Sequence, residues 1–181
     1  EVPFGDNLVV RNFSFHSPAR QRVGPAHSQV ADSATGSEVD EEIQENNNFR
    51  YHVMMPAGME KARNVVIMLH GLNERYWTKY LPWAASVVEA TGHAVVLFPL
   101  AFHMNRAPAK WADPQLMARL SRERKRTLPT LTSSSFVNAA ISARLCEQPE
   151  RFISSGLESY YDLIKLVETI KSGLHPAIDK D

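Results

Sequence analysis

The chain has 181 residues, enough for one domain with a sizeable hydrophobic core and too few for two compact domains of ordinary size. Hydrophobic residues make up 44% of it and charged residues 22%, which is typical of a soluble globular protein. The 20 basic residues balance 20 acidic ones, and no segment is basic throughout, so the composition argues against a nucleic-acid partner or a membrane-surface role.

Cysteine content and the N-terminus bear on the compartment. The single cysteine, Cys146, excludes an intrachain disulfide and slightly favours a reducing compartment such as the cytoplasm. The sequence begins at Glu1 rather than at Met, so a removed leader peptide, and with it a secreted or periplasmic location, stays open. No apolar run approaches the roughly 20 residues that a membrane-spanning helix needs. We therefore expect no membrane partner and leave the localisation undecided.

Residues 1–48 differ in composition from the rest of the chain. The segment Phe13–His16 alternates apolar with polar residues, a pattern that favours a short strand. Residues 17–48 are rich in small and polar residues, and they offer too little apolar surface to offset the entropy of ordering them. We interpret residues 1–48 as an N-terminal extension with a long polar surface excursion, and residues 49–181 as the main domain.

The main domain opens with a strand–helix–strand pattern. The segment Phe49–Met54 alternates like a half-exposed strand, whereas Val65–Leu69 is wholly apolar, as in a strand covered on both faces. Helical spacing follows over Glu74–Glu89, and Gly92 is suited to the cap at the end of that helix. A second apolar strand is predicted over Ala94–Phe98. Short connections between these elements indicate a βαβ unit with parallel strands.

The second half of the domain is less regular. Prolines punctuate residues 100–132, and we expect an insertion there that covers the top or edge of the sheet. Helices are predicted over Pro114–Arg124 and Phe136–Cys146. Ser155 and Glu158 fit the capping-box pattern, so a final helix is predicted to begin at Ser155.

Polar groups are concentrated where the two apolar strands end. In an open α/β sheet the loops at the carboxyl ends of parallel strands meet at one edge, so the segments His70–Arg75 and Leu100–Trp111 should converge there. His103 is suited to proton transfer and Arg106 to clamping a carboxylate or phosphate, with Asn105 between them as a further substrate-binding candidate. An equally good interpretation is that these side chains only tie down the inserted loop.

The segment Val65–Asn73, read as Val-Val-Ile-Met-Leu-His-Gly-Leu-Asn, leads into a helix that carries tryptophan and then into the strand Gly-His-Ala-Val-Val-Leu-Phe-Pro. This succession resembles the N-terminal half of the α/β-hydrolase superfamily, in an uncharacterised member of bacterial type. By order of elements the resemblance covers Phe49–Gly173. It implies an α/β fold, with a partial α/β-hydrolase sheet that is mostly parallel and has helices on both faces.

The resemblance also implies roles for residues in the loop after the first apolar strand. In the superfamily this loop supplies a backbone N–H to the oxyanion hole, and here the donor would be Leu72 or Asn73. Gly71 would permit a tight turn and the close approach of substrate. His70 is implied to be a positioning residue rather than the catalytic base. The substrate would be a small-molecule ester or amide.

The superfamily's nucleophile pattern, Gly-x-Ser-x-Gly, does not occur in these 181 residues. The resemblance places the nucleophile, the acid and the base C-terminal to Asp181, so this segment alone is expected to be inactive. Two apolar strands would also leave an open sheet edge. We therefore expect a partner that completes the sheet, either the C-terminal remainder of the same protein or a second chain. The alternative is a non-catalytic binding or interaction module of the same fold.

No metal or cofactor is predicted. The seven histidines include no pair spaced for one helix face and no His-Glu-x-x-His motif. Neither a phosphate-binding glycine loop nor a dinucleotide fingerprint is present, which argues against nucleotide binding.

Overall fold

The computed structural model describes residues 1–18, 43–72, 74–133, 135–147 and 149–180. Within these ranges five strands form one sheet: β1 (Val2–Phe4), β2 (Leu8–His16), β3 (Asn48–Pro56), β4 (Val65–Met68) and β5 (Ala94–Leu97). Their order across the sheet is β1-β2-β3-β5-β4. The described helices are α1 (Gln44–Asn47), α2 (Leu81–Thr91), α3 (Pro114–Thr127), α4 (Phe136–Glu147) and α5 (Glu150–Lys171), with 3₁₀ turns at Met104–Arg106 and Ala109–Ala112.

The prediction of a mostly parallel sheet is wrong. Only β4 and β5 run parallel in the described sheet, whereas β1–β2, β2–β3 and β3–β5 are antiparallel. The prediction treated the βαβ unit as typical of the whole sheet. That unit is one edge of a mixed sheet whose other strands, β1, β2 and β3, precede it in the chain.

The N-terminal segment contributes two strands to this sheet. The short strand predicted at Phe13–His16 is the end of β2, which begins at Leu8 and pairs with β3 over its full length. Residues 1–18 therefore belong to the same sheet as β3 and do not form a separate extension. Most of the predicted polar excursion, residues 19–42, lies outside the described residues.

Helices cover both faces of the sheet. Alternation along β3 directs Val53 towards the face covered by α5, where Leu166 and Ile170 are buried. The next residue, Met54, faces the opposite side and packs in a cluster with Val88 of α2. As predicted, Gly92 caps α2, with a left-handed φ of 68°.

A third apolar cluster holds the inserted segment 100–132 in place. Trp111 is buried against Met117 and Leu120 of α3 and Ala140 of α4. Helix α3 begins at Pro114, as predicted, because the Asp113 carboxylate accepts hydrogen bonds from the first free amides of the helix. The helix is longer than predicted and ends at Thr127.

The last helix begins earlier than predicted. Helix α5 starts at Glu150, directly after Pro149, so Ser155 lies in its second turn and is not its cap. Pro149 is suited to opening a helix because its φ is already helical. The capping-box pattern at Ser155 and Glu158 was therefore misleading, and α5 spans 22 residues.

Strand β4 lies at the edge of the described sheet. Its residues are only half-buried, which corrects the expectation that Val65–Leu69 is covered on both faces; Leu69 is 41% exposed. Just before β4, Ala62 forms a parallel bridge with Ile178, and the amides of Ala62 and Asp179 complete the pairing. The chain after α5 thus runs alongside the segment that leads into β4, in the same direction.

Candidate functional site

A cavity of about 770 Å³ opens where β4 and β5 end. Its floor comes from the loops after these two strands, and its walls come from α3, α4 and α5. The predicted convergence of the two loops is therefore confirmed. The apolar lining consists mainly of Leu72, Leu100, Phe102, Ile141, Leu145, Phe152 and Leu163.

His70 ties the two loops together. Its Nε2 accepts a hydrogen bond from the Leu100 amide at 2.9 Å, and its Nδ1 donates to the Gly71 carbonyl at 2.8 Å. Acceptance at Nε2 requires a neutral ring, and burial lowers the pKa of His70 to about 4. Since both ring nitrogens are engaged by backbone, His70 positions the site, in line with the role that the resemblance implies.

Gly71 is held by a side chain that the sequence did not point to. Its amide donates to the Tyr80 hydroxyl at 2.6 Å, and a Cβ added at Gly71 would lie 3.4 Å from that oxygen. The φ of Gly71 is not in the left-handed region, so the turn itself does not require glycine. A Cβ at that distance would make an ordinary van der Waals contact, so the Tyr80 hydroxyl does not require glycine here either.

Leu72 is the next residue of this loop. Its side chain is 70% exposed and lines the cavity. Among the described residues, none accepts a hydrogen bond from the Leu72 amide. Asn73, the other donor candidate, lies outside the described residues.

His103 and Asn105 occupy different surroundings. The His103 ring lines the cavity, 5.0 Å from the ring of His70 between centroids, and its Nδ1 donates to the Ala101 carbonyl at 2.9 Å. Asn105 does not belong to the described lining; its amide donates to the Arg50 carbonyl at 2.9 Å on the exposed side of β3. Of the two, only His103 is placed to meet a ligand in the cavity.

Arg106 is fully buried and lies outside the described lining. Its guanidinium donates to Asp162 and Glu158, both at 2.9 Å, and stacks on the Phe49 ring at 4.1 Å. Further donors reach the Asn46 side chain and the Pro99 carbonyl. This geometry fits the second of the two predicted roles, tying down the inserted loop, because the donors that a substrate anion would need are occupied.

The loop from Leu100 to Arg106 is strained and anchored. Phe102 and Met104 have left-handed φ angles of 62° and 51°, which are costly for residues other than glycine. Two side chains outside the predicted site hold this conformation: Ser159 accepts from the Ala101 amide at 2.9 Å, and Asn46 accepts from the Phe102 amide at 3.1 Å. The conformation of the cavity floor is therefore held by side chains of α1 and α5.

The described part of the chain gives no evidence for metal binding or membrane insertion. Within it, no group of three or more His, Cys, Asp or Glu side chains could hold a metal ion. None of the described helices is both long and apolar enough to cross a bilayer.

Comparison with known proteins gives a match at the level of the family. No curated protein and no solved structure matches the chain significantly. A family model, described as a family of unknown function (DUF6051), matches residues 7–181. The match begins just before β2 and continues through α5 to the end of the chain, so it covers β2–β5 and the cavity but not β1. The chain therefore belongs to this family of unknown function, DUF6051.

Proposed function

We propose that this chain supplies the oxyanion-binding loop and the substrate cavity of a serine-type hydrolase that acts on small-molecule esters or amides. The Leu72 amide carries the proposal. It lies at the rim of an apolar cavity, it has no acceptor among the described residues, and the loop that holds it is fixed by His70 and Tyr80. A rigid, uncommitted N–H is what a developing oxyanion needs.

The chemistry divides between this loop and groups outside the 181 residues. A serine hydroxyl attacks the carbonyl carbon of the substrate while a histidine takes its proton, and the carbonyl oxygen becomes an oxyanion that accepts a hydrogen bond from Leu72. Collapse of the tetrahedral intermediate expels the alcohol or amine, which receives that proton, and water then releases the acid. The serine, the histidine and the histidine's acidic partner are not assigned to any residue of this chain.

In our proposal those groups reach the cavity through a further strand that pairs with β4, at the edge of the described sheet. Apolar edge strands favour pairing with another strand, and the Ala62–Ile178 bridge shows that the chain after α5 runs parallel to the segment that leads into β4. In our proposal this further strand belongs to the C-terminal remainder of the protein or to a second chain. A parallel strand there ends at the same sheet edge as β4, next to the cavity, and a nucleophile in the turn after it would face Leu72.

The experiment is an assay of the native full-length polypeptide with p-nitrophenyl acetate and butyrate, followed by labelling with a fluorophosphonate and peptide mapping. We expect turnover, and a labelled serine outside Glu1–Asp181. The chain from Glu1 to Asp181 alone should show neither. A labelled serine within these residues would contradict the division of the site. A folded full-length protein with no turnover and no label would favour a non-catalytic binding module.

A further inference from the structure

We infer that the cavity between the two loops and α4–α5 binds a medium-length acyl chain, with its carbonyl end at Leu72. The position of the carbonyl end rests on the proposed function. The binding of the acyl chain rests on the cavity alone. The acid part of the proposed substrate is an uncharged aliphatic acyl group that is longer than acetyl.

The walls of the cavity present apolar side chains to solvent. Phe152 of α5 is 68% exposed and Leu72 is 70% exposed, and both line the cavity together with Ile141 and Leu145 of α4. Large apolar groups exposed together around a concavity are typical of a ligand site. Burial of such a surface by an aliphatic chain is favourable in proportion to the area covered.

The charged side chains of the described lining are compatible with an anionic ligand end. The described lining contains Arg124 and Arg151 but no Asp or Glu. An ester, or the carboxylate of a released acid, therefore meets no carboxylate of like charge in the described lining. An amphiphile with an apolar chain and a neutral or anionic end fits both the walls and the charges.

The size of the cavity suits more than a short acyl group. Its volume of about 770 Å³ lies within the range of about 300–1,000 Å³ found for small-molecule sites. An acetyl group would leave most of the apolar wall uncovered. Each further methylene that reaches the wall should tighten binding about fourfold until the cavity is filled.

Gly156 provides a way to fill the cavity without disturbing the fold. It lies within α5 and lines the cavity, and a Cβ added there would meet nothing within 4 Å. Glycine is a poor residue for a helix interior, so Gly156→Ala and Gly156→Leu should both favour the helix. The leucine side chain, in contrast to the alanine methyl, would occupy the space meant for the acyl chain. Ala90→Leu, on the exposed side of α2 away from the cavity, is the matched control for an added leucine.

The test is calorimetric titration of the full-length protein with hexanoate, octanoate and decanoate, the products that such esters would release. We expect affinity to rise about fifteenfold for each pair of methylenes. Octanoate binding should fall at least tenfold in Gly156→Leu and stay within about threefold in Gly156→Ala and Ala90→Leu. Octanoate should also slow alkylation of Cys146, the single cysteine, which lines the cavity.

Two outcomes would overturn the inference. One is affinity that does not depend on chain length; the other is octanoate binding that survives in Gly156→Leu while the protein stays folded. Failure of the proposed function looks different, because alkanoates would then bind with the expected chain-length dependence while esters are not turned over. Turnover of acetyl esters alone, without alkanoate binding, would retain the hydrolase and reject the acyl cavity.

Discussion

The His70 Nε2 atom accepts a hydrogen bond from the Leu100 amide at 2.9 Å, and this bond joins the loop after β4 to the loop after β5. The same ring donates to the Gly71 carbonyl, so one neutral imidazole fixes the residue before Leu72 against the cavity floor. The position of the proposed oxyanion donor therefore depends on a residue whose two ring nitrogens are both hydrogen-bonded to the backbone.

Replacement of His70 by phenylalanine should destabilise the protein by about 1–3 kcal/mol, because the half-buried Leu100 amide loses its acceptor. Urea unfolding measures the change. His16→Ala, at the exposed end of β2, should stay within about 0.5 kcal/mol. Equal effects from both substitutions would show that the link between the loops is not a significant source of stability.

Stability should fall as pH decreases from about 6.5 towards about 4. Burial lowers the pKa of both His70 and His175 to about 4, below the unfolded value, so the unfolded chain binds more protons throughout this window. Each histidine contributes a slope of roughly 1 kcal/mol per pH unit, and the contribution is fully present above pH 6.5. Urea midpoints between pH 7.5 and 4.5 test this. The His70→Phe variant should show a shallower slope; an unchanged slope would contradict the assignment.

Replacement of Arg106 by alanine should cost about 3–5 kcal/mol, since it leaves the carboxylates of Asp162 and Glu158 buried without a counter-charge. Arg122→Ala, an exposed change on α3, is the control and should have little effect. An Arg106→Ala protein with native stability and weakened substrate binding would instead support the anion clamp.

Replacement of Tyr80 by phenylalanine should loosen the loop around Gly71. The Gly71 amide would lose its acceptor, with a cost of about 1 kcal/mol and faster exchange of that amide hydrogen. Tyr76, which is 71% exposed, offers the matched Tyr→Phe control. Unchanged exchange at Gly71 in Tyr80→Phe would show that the hydroxyl does not hold this amide.

The parts of the fold that could be predicted are those with local signals. The apolar runs of β4 and β5, and the glycine after α2, mark these elements directly. The pairing of β2 with β3 carries no local signal, because His16 and Asn48 are partners 32 residues apart. Without that pair, the parallel βαβ unit was generalised to the whole sheet.

The candidate site likewise has features that the sequence predicted and features that it did not. Convergence of the two loops follows from the direction of β4 and β5 alone. The sequence left two roles open for Arg106, because its carboxylate partners lie 52 and 56 residues further along the chain. Asn46 gave no signal of its role, since it lies within the segment interpreted as a polar excursion.

The central claim concerns one backbone N–H, and a proline tests it most directly. Leu72→Pro removes the amide hydrogen of a largely exposed residue, whereas Leu72→Ala keeps it and shortens the side chain. The measurement is kcat/KM of the full-length protein for a p-nitrophenyl ester. We expect Leu72→Pro to lose about 100-fold to 1,000-fold while Leu72→Ala loses less than about tenfold. Equal kcat/KM in the folded proline and alanine variants would contradict the assignment of the Leu72 amide to the oxyanion.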